Sequence, residues 1–159
     1  MVDTAATRAI ADVGLDARIV VTDVPSSAEE SAALQSIEVG RLLRTIVIRR
    51  GANDYVFVIV PGGRQIAWKK LRAHLGARRL TLPDADEAKE ATGYERGAIT
   101  PFGSSTAWPV VADASIRGLG VVAIGAGARG VSMHADASAL LGALDADEAD
   151  LTDPSGPDV

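Results

Sequence analysis

The sequence predicts a mixed α/β fold, a curled and mostly antiparallel mixed sheet with helices packed around it. Three observations carry that expectation. Strand-like apolar runs outnumber helical segments. Few of them alternate strand, helix, strand cleanly enough for a doubly wound sheet. Two of the strongest, residues 42–49 and 55–60, are separated only by the turn residues 51–54, as in a hairpin. At 159 residues the chain can bury a core without cross-links and has the usual size of one domain.

Residues 4–13 mix alanine with Ile10 and Val13 and suit a short helix. Residues 17–21 are β-branched and apolar, as a strand requires, and Pro25 and Ser26 end that run. Ser27 with Glu30 three positions on has capping-box spacing, opening a helix expected to reach about Ile37. In the strand over 42–49, alternation puts Leu43, Thr45, Val47 and Arg49 on one face and Leu42, Arg44, Ile46 and Ile48 on the other. The run YVFVIV at 55–60 reads as a strand buried on both faces. Ile66 and Ala67 suggest a short strand, residues 68–75 a helix stopped by Gly76, and residues 79–82 another short strand. Pro83 opens an acidic helix ended by Gly93. Strands are expected over 108–112, 120–124 and 131–134, and then a helix capped by Asp136 with Leu140, Leu141 and Leu144 along one side. One domain over residues 1–151 is expected. Residues 152–159, with two prolines, a glycine and two aspartates, read as an unstructured tail.

Composition narrows the chemistry. The chain has no cysteine, which removes disulfides, zinc–thiolate sites and a cysteine nucleophile together. The N-terminus lacks a signal-peptide pattern and no apolar run approaches a membrane span, so a cytoplasmic protein with no membrane partner is expected. The net charge of −5 confines any nucleic-acid contact to a local surface. Arg41, Arg44, Arg49, Arg50, Arg64, Lys69, Lys70, Arg72, Arg78 and Arg79 form a basic stretch that could supply one, or could be solvated surface.

His74 and His134 have no partners at ligand spacing, so neither a metal nor a cofactor is expected. No G-x-S-x-G elbow supports a serine triad. Residues 125–130, GAGARG, match G-x-G-x-x-G and follow a strand. A second strand comes next where a dinucleotide site needs a helix, so a glycine loop is the better reading. The densest signal is TGYERGAITPFG at 92–103. Three glycines and a proline there can bring backbone N–H and C=O groups close to a ligand.

The order helix, glycine, strand, acidic helix, then T-G-Y and G-x-x-x-P-F-G resembles the YbaK/ProX family of aminoacyl-tRNA editing domains, over about residues 27–144. That family includes the editing domain inserted in bacterial prolyl-tRNA synthetases and its free-standing relatives. The resemblance implies a free-standing deacylase that cleaves the ester at the terminal adenosine of mischarged tRNA, with the tRNA acceptor end as partner and a synthetase as a second candidate. It further implies a pocket wall at Gly97, Ala98, Ile99, Thr100, Pro101, Phe102 and Gly103, a contact at Thr45, and a rim near Gly127. By the same resemblance Arg44 stands where the family carries a lysine and is expected to face the Gly97 wall and hold phosphate or the ester carbonyl, Gly97 supplies backbone donors to the ester carbonyl, and Asp113 receives the substrate's amino group. Arginine is a planar fork and not a point charge, so the exchange at Arg44 also opens a second reading, a binding module with weakened catalysis. A third reading is a hydrolase or binder for a different small molecule.

Overall fold

From the N-terminus the chain forms α1 (Ala5–Asp12), β1 (Arg18–Val21), α2 (Ala28–Leu34), β2 (Leu43–Gly51), β3 (Asp54–Pro61), β4 (Arg64–Ile66), α3 (Trp68–Leu75), α4 (Ala85–Thr92), β5 (Val110–Asp113), β6 (Val121–Ala128), β7 (Val131–Asp136), α5 (Ala137–Ala143), β8 (Asp147–Ala149) and β9 (Thr152–Pro154). This is a computed structural model, and it describes residues 2–155.

The apolar run at the centre of the sequence organises the rest. Tyr55 to Val60 on β3 are all buried. Tyr55 and Phe57 pack with Val47 and Ala91 on one side, while Val56, Val58 and Val60 pack with Ile48, Leu71 and Leu151 on the other. Each such side chain contributes about 1.5–3 kcal/mol on burial. The edge strand β1, whose Ile19 and Val21 stay exposed, adds far less.

Strands β2 and β3 pair antiparallel, β3 continues into parallel pairs with β5 and then β8, and β1–β7–β6 form an antiparallel group. A parallel bridge between Leu42 and Ala123 joins the two groups into one curled surface. A core made by Leu43, Ile59, Ile124, Met133 and Leu140 fills its concave side, with Ile10, Tyr94 and Phe102 closing it. This is the expected mixed, mostly antiparallel architecture.

Several local expectations are corrected. Helix α2 ends at Leu34 because Ser36 turns to a positive φ of 55°. Ser27 does cap it, but Glu30 reaches back to the N–H and hydroxyl of Ser26, so the reciprocal half of a capping box is displaced by one residue. The strand expected at 79–82 shrinks to a single bridge between Thr81 and Arg49. The tail is the larger correction. Thr152–Pro154 form β9, antiparallel to β4, and Thr152 is fully buried. The Thr152 hydroxyl accepts from Arg64 Nε at 2.7 Å, and Lys70 lies 3.1 Å from both Asp150 and Asp153. Residues 156–159 of the expected tail lie outside the described residues.

Candidate active site

A cleft of about 980 Å³ opens where β2 and β6 part. The two strands touch at Leu42–Ala123, and residues 43–47 of β2 and Gly125 and Ala128 of β6 both line it. The first turn of α2 and its approach form a third side, with Val24 and Pro25 at the lip and Ser27 and Ser31 farther along. Leu82 to Asp84, which lead into α4, and Ala85 and Ala88 in its first turn close the fourth together with Gly97 and Ile99. Val24 and Leu82 are 60% and 58% exposed, apolar groups held in water at the mouth.

Strand alternation decides how β2 serves the cleft. Leu43 and Val47 pack in clusters that include Ile99, so their face, which also carries Thr45, is turned to the loop at Gly97. The Thr45 hydroxyl is buried and has no hydrogen-bond partner among the described residues. Arg44 shares its face with Ile46 and Ile48, which pack with Leu71 on the other side of the sheet. Its guanidinium donates to the Arg64 carbonyl at 2.7 Å. Arg44 therefore borders the cleft from the far face of β2, and the expected placement of its guanidinium facing the Gly97 loop is not found.

The cation beside Gly97 is Arg129. The β6–β7 hairpin carries a bulge between Gly125 and Ala128, and its turn delivers Arg129 to the cleft, where Nε donates to the Arg96 carbonyl at 3.2 Å. A Cβ added at Gly97 would lie 3.5 Å from that Nε. Gly97 has φ +89°, and its N–H makes no hydrogen bond to the described residues. Arg44, Arg96 and Arg129 line the cleft and form no ion pair among the described residues. Of the basic stretch at 41–79 only Arg44 is there. Arg49 pairs with Glu87 and Arg50 with Asp54, both away from the cleft.

The remaining loop residues serve the core. Ala98, Thr100 and Phe102 are buried, the Phe102 carbonyl accepts from Tyr94 Oη at 2.6 Å, and Gly103 abuts the Ala5 carbonyl of α1. Ala98, Thr100, Pro101, Phe102 and Gly103 thus do not line the cleft, whereas Gly97 and Ile99 do. Gly127 faces Thr4, Ala6 and Tyr94, and the rim is made by Gly125 and Gly130 instead.

Asp113 is also elsewhere. Its Oδ1 accepts from the Leu151 N–H at 2.9 Å, and Oδ2 accepts from the Ser115 N–H at 3.1 Å and from the Ser115 hydroxyl. Arg64 Nε lies 3.9 Å away. Burial alone would raise its pKa, but these hydrogen bonds outweigh it and hold the carboxyl below the usual value. Asp113 fastens the start of the β9 segment to β5 and cannot meet a substrate in the cleft.

Behind the α2 wall runs a polar chain. Arg18 can only donate, so its Nη2, 3.3 Å from His134 Nδ1, makes that nitrogen the acceptor, and Nε2–H donates to Gln35 Oε1 at 3.0 Å. Gln35 Nε2 in turn donates to Ser31 Oγ at 2.9 Å, on the cleft side of α2. Burial, and then the Arg18 charge, hold the His134 pKa below its usual value.

A model described as the aminoacyl-tRNA editing domain matches residues 23–142. The chain belongs to that family. Among relatives of this editing domain, EbsC of Enterococcus faecalis, whose name proposes a Cys-tRNA(Pro)/Cys-tRNA(Cys) deacylase, is 26% identical over 126 residues, covering 79% of the chain and 77% of EbsC. A proline–tRNA ligase of Thermosipho melanesiensis is 33% identical over 89 residues, which is 56% of the chain and 15% of the ligase. The fold matches the crystal structure of a proposed trans-editing enzyme for prolyl-tRNA synthetase with a TM-score of 0.85 at 24% identity, over 98% of the chain and all of the other protein. The editing domain has no helix among the described residues long and apolar enough to cross a membrane.

Sequence reasoning missed Arg96, Arg129, the first turn of α4 and the approach to α2 as cleft walls. Arg129 carried one readable signal, as the only charged residue in the glycine run at 125–130. Arg96 carried one too, standing next to Gly97 inside the segment 92–103, whereas the walls at α2 and α4 had none, because their neighbours in the cleft are distant in sequence.

Proposed function

We infer that this editing domain hydrolyses mischarged aminoacyl-tRNA, acting in trans on the ester between the amino acid and the terminal adenosine. The observation that carries the reading is Gly97, whose N–H makes no hydrogen bond to the described residues, beside Arg129 in a cleft whose three arginines form no ion pair among the described residues. An acceptor end is a polyanion carrying one activated ester, and this arrangement suits both parts. Arg96 and Arg129 hold phosphate at the mouth. The Gly97 N–H donates to the carbonyl oxygen as water adds to the carbonyl carbon and negative charge develops there. The bond to the ribose oxygen then breaks, that oxygen takes the proton, and free amino acid and tRNA leave. Thr45 supplies a hydroxyl otherwise left unsatisfied, a state that costs about 1–3 kcal/mol. The exposed Val24 and Leu82 suit the adenine face or the amino-acid side chain. Small differences between amino acids are worth only about 1–3 kcal/mol in binding, which is why a separate hydrolytic site is useful. Action in trans is supported by the match that spans 77% of EbsC, and the match to a proline–tRNA ligase makes a synthetase a candidate partner.

The test is ester loss from a panel of mischarged tRNAs, cysteinyl-tRNA(Pro) among them, by the wild type and by Arg129→Ala and Arg44→Ala. Turnover that Arg129→Ala abolishes supports the reading. Binding without turnover supports the second reading, a module that holds aminoacyl-tRNA without cleaving it. That alternative draws on Arg44, whose guanidinium is engaged by the Arg64 carbonyl.

A further inference from the structure

The cleft holds one carboxylate. Among its lining residues Asp84 is the sole acid, set against Arg44, Arg96 and Arg129. An aminoacyl-tRNA acceptor end has the inverse balance, with many phosphates and one cation, the α-ammonium group next to the ester. We propose that Asp84 binds this α-ammonium group and makes the site selective for substrates with a free amino group. The proposal rests on the deacylase reading and adds the group by which the site distinguishes an aminoacyl ester from another acyl ester.

The local structure prepares Asp84 for the role. Pro83 fixes the chain direction just before it, and Asp84 is the N-cap of α4. Only Oδ1 is used in capping, accepting from the Glu87 N–H at 2.8 Å, which sets the side-chain orientation. Asp84 is exposed at the cleft, and among the described residues its Oδ2 has no hydrogen-bond partner and its carboxylate no ion pair. Ala85 and Ala88 next to it line the same cleft with small side chains that leave room for a ligand. The capping duty explains an aspartate here but would be met as well by asparagine or serine. Asp113, which the sequence offered for this task, is spent on Leu151 and Ser115.

That equivalence in capping supplies the experiment. Asp84→Asn and Asp84→Ser keep a capping oxygen and remove the charge, and thermal melts confirm that each is folded. Each protein is assayed on the fastest aminoacyl-tRNA of the panel and on the same tRNA carrying the α-hydroxy acid, which replaces ammonium with a hydroxyl of equal size. Wild type is expected to favour the amino ester, and both variants to reduce that preference by roughly two- to fivefold, the scale of an exposed ion pair. Comparing variant with wild type cancels the intrinsic reactivity difference of the two esters. Unchanged preference in active variants overturns the role of Asp84 and leaves the deacylase reading standing. If the wild type cleaves neither ester of any panel member, the deacylase reading fails and the inference fails with it.

Discussion

Arg129 lies alongside Gly97, its Nε hydrogen-bonded to the Arg96 carbonyl at 3.2 Å and 3.5 Å from where a Gly97 Cβ would stand. Two segments more than thirty positions apart thereby bring Gly97 and the Arg129 side chain together in the cleft. Arg129→Ala is expected to lower kcat/KM for deacylation by about ten- to a hundredfold, the range for hydrogen bonds to charged groups. Arg44→Ala, on the opposite face of β2, is expected to cost about fivefold or less. Single-turnover deacylation separates the two, and raising salt should shrink both effects by screening.

Gly97→Ala and Gly103→Ala should fail differently. Both positions have positive φ, a strain of about 1–3 kcal/mol for alanine. At Gly97 the new Cβ meets only the Arg129 side chain, so most of the protein stays folded while activity falls. At Gly103 it would stand 2.4 Å from the Ala5 carbonyl oxygen, a backbone atom that cannot yield cheaply. The fall in Tm is therefore expected to be clearly larger for Gly103→Ala, as read by calorimetry.

Asp113→Ala is expected to destabilise by about 2–3 kcal/mol, because it strands the buried N–H of Leu151 and removes the partner of the Ser115 N–H and of the nearby Arg64 charge. The remaining folded fraction should keep its kcat/KM. The folded carboxyl has a pKa below its usual 3.8, so its contribution is present above that value and is lost as pH falls below it. Urea unfolding across that range checks the sign.

His134 gives a second pH signature. Its folded pKa lies below the usual 6.5, so between that lower value and 6.5 the unfolded chain binds more protons than the folded one. Stability is thus expected to fall on acidification through that window. Protonation would put an N–H at Nδ1, where Arg18 now donates. His134→Gln should flatten the dependence, and denaturant midpoints at about pH 7.5 and pH 5.5 test this.

Much of this protein was legible in local pattern. The doubly buried β3, the α3 helix stopped by Gly76 at φ 64° and the Ser27 and Asp136 caps follow from periodicity and from residues that act on their immediate neighbours. The order of motifs was enough to suggest the family. The site was legible only in part. Gly97, Ile99 and Thr45 do line the cleft, but Arg44 falls on the wrong face, and Phe102 and Gly103 are used by the core and α1. One relationship explains two misreadings at once: Asp113 binds Leu151, so the residue expected in the pocket is what helps to order the segment expected to be a tail.

The sequence by itself determined most of the helices and central strands and the glycines that end or free the backbone, since these depend on torsions and on side chains within a few positions. Only the tertiary structure decided which charges meet. The bulge in β6 brings Arg129 and the cap of α4 brings Asp84 to one cleft, while the pairing of β5 with β3 and β8 buries Asp113 away from it, because the distances that set electrostatics run through space and not along the chain.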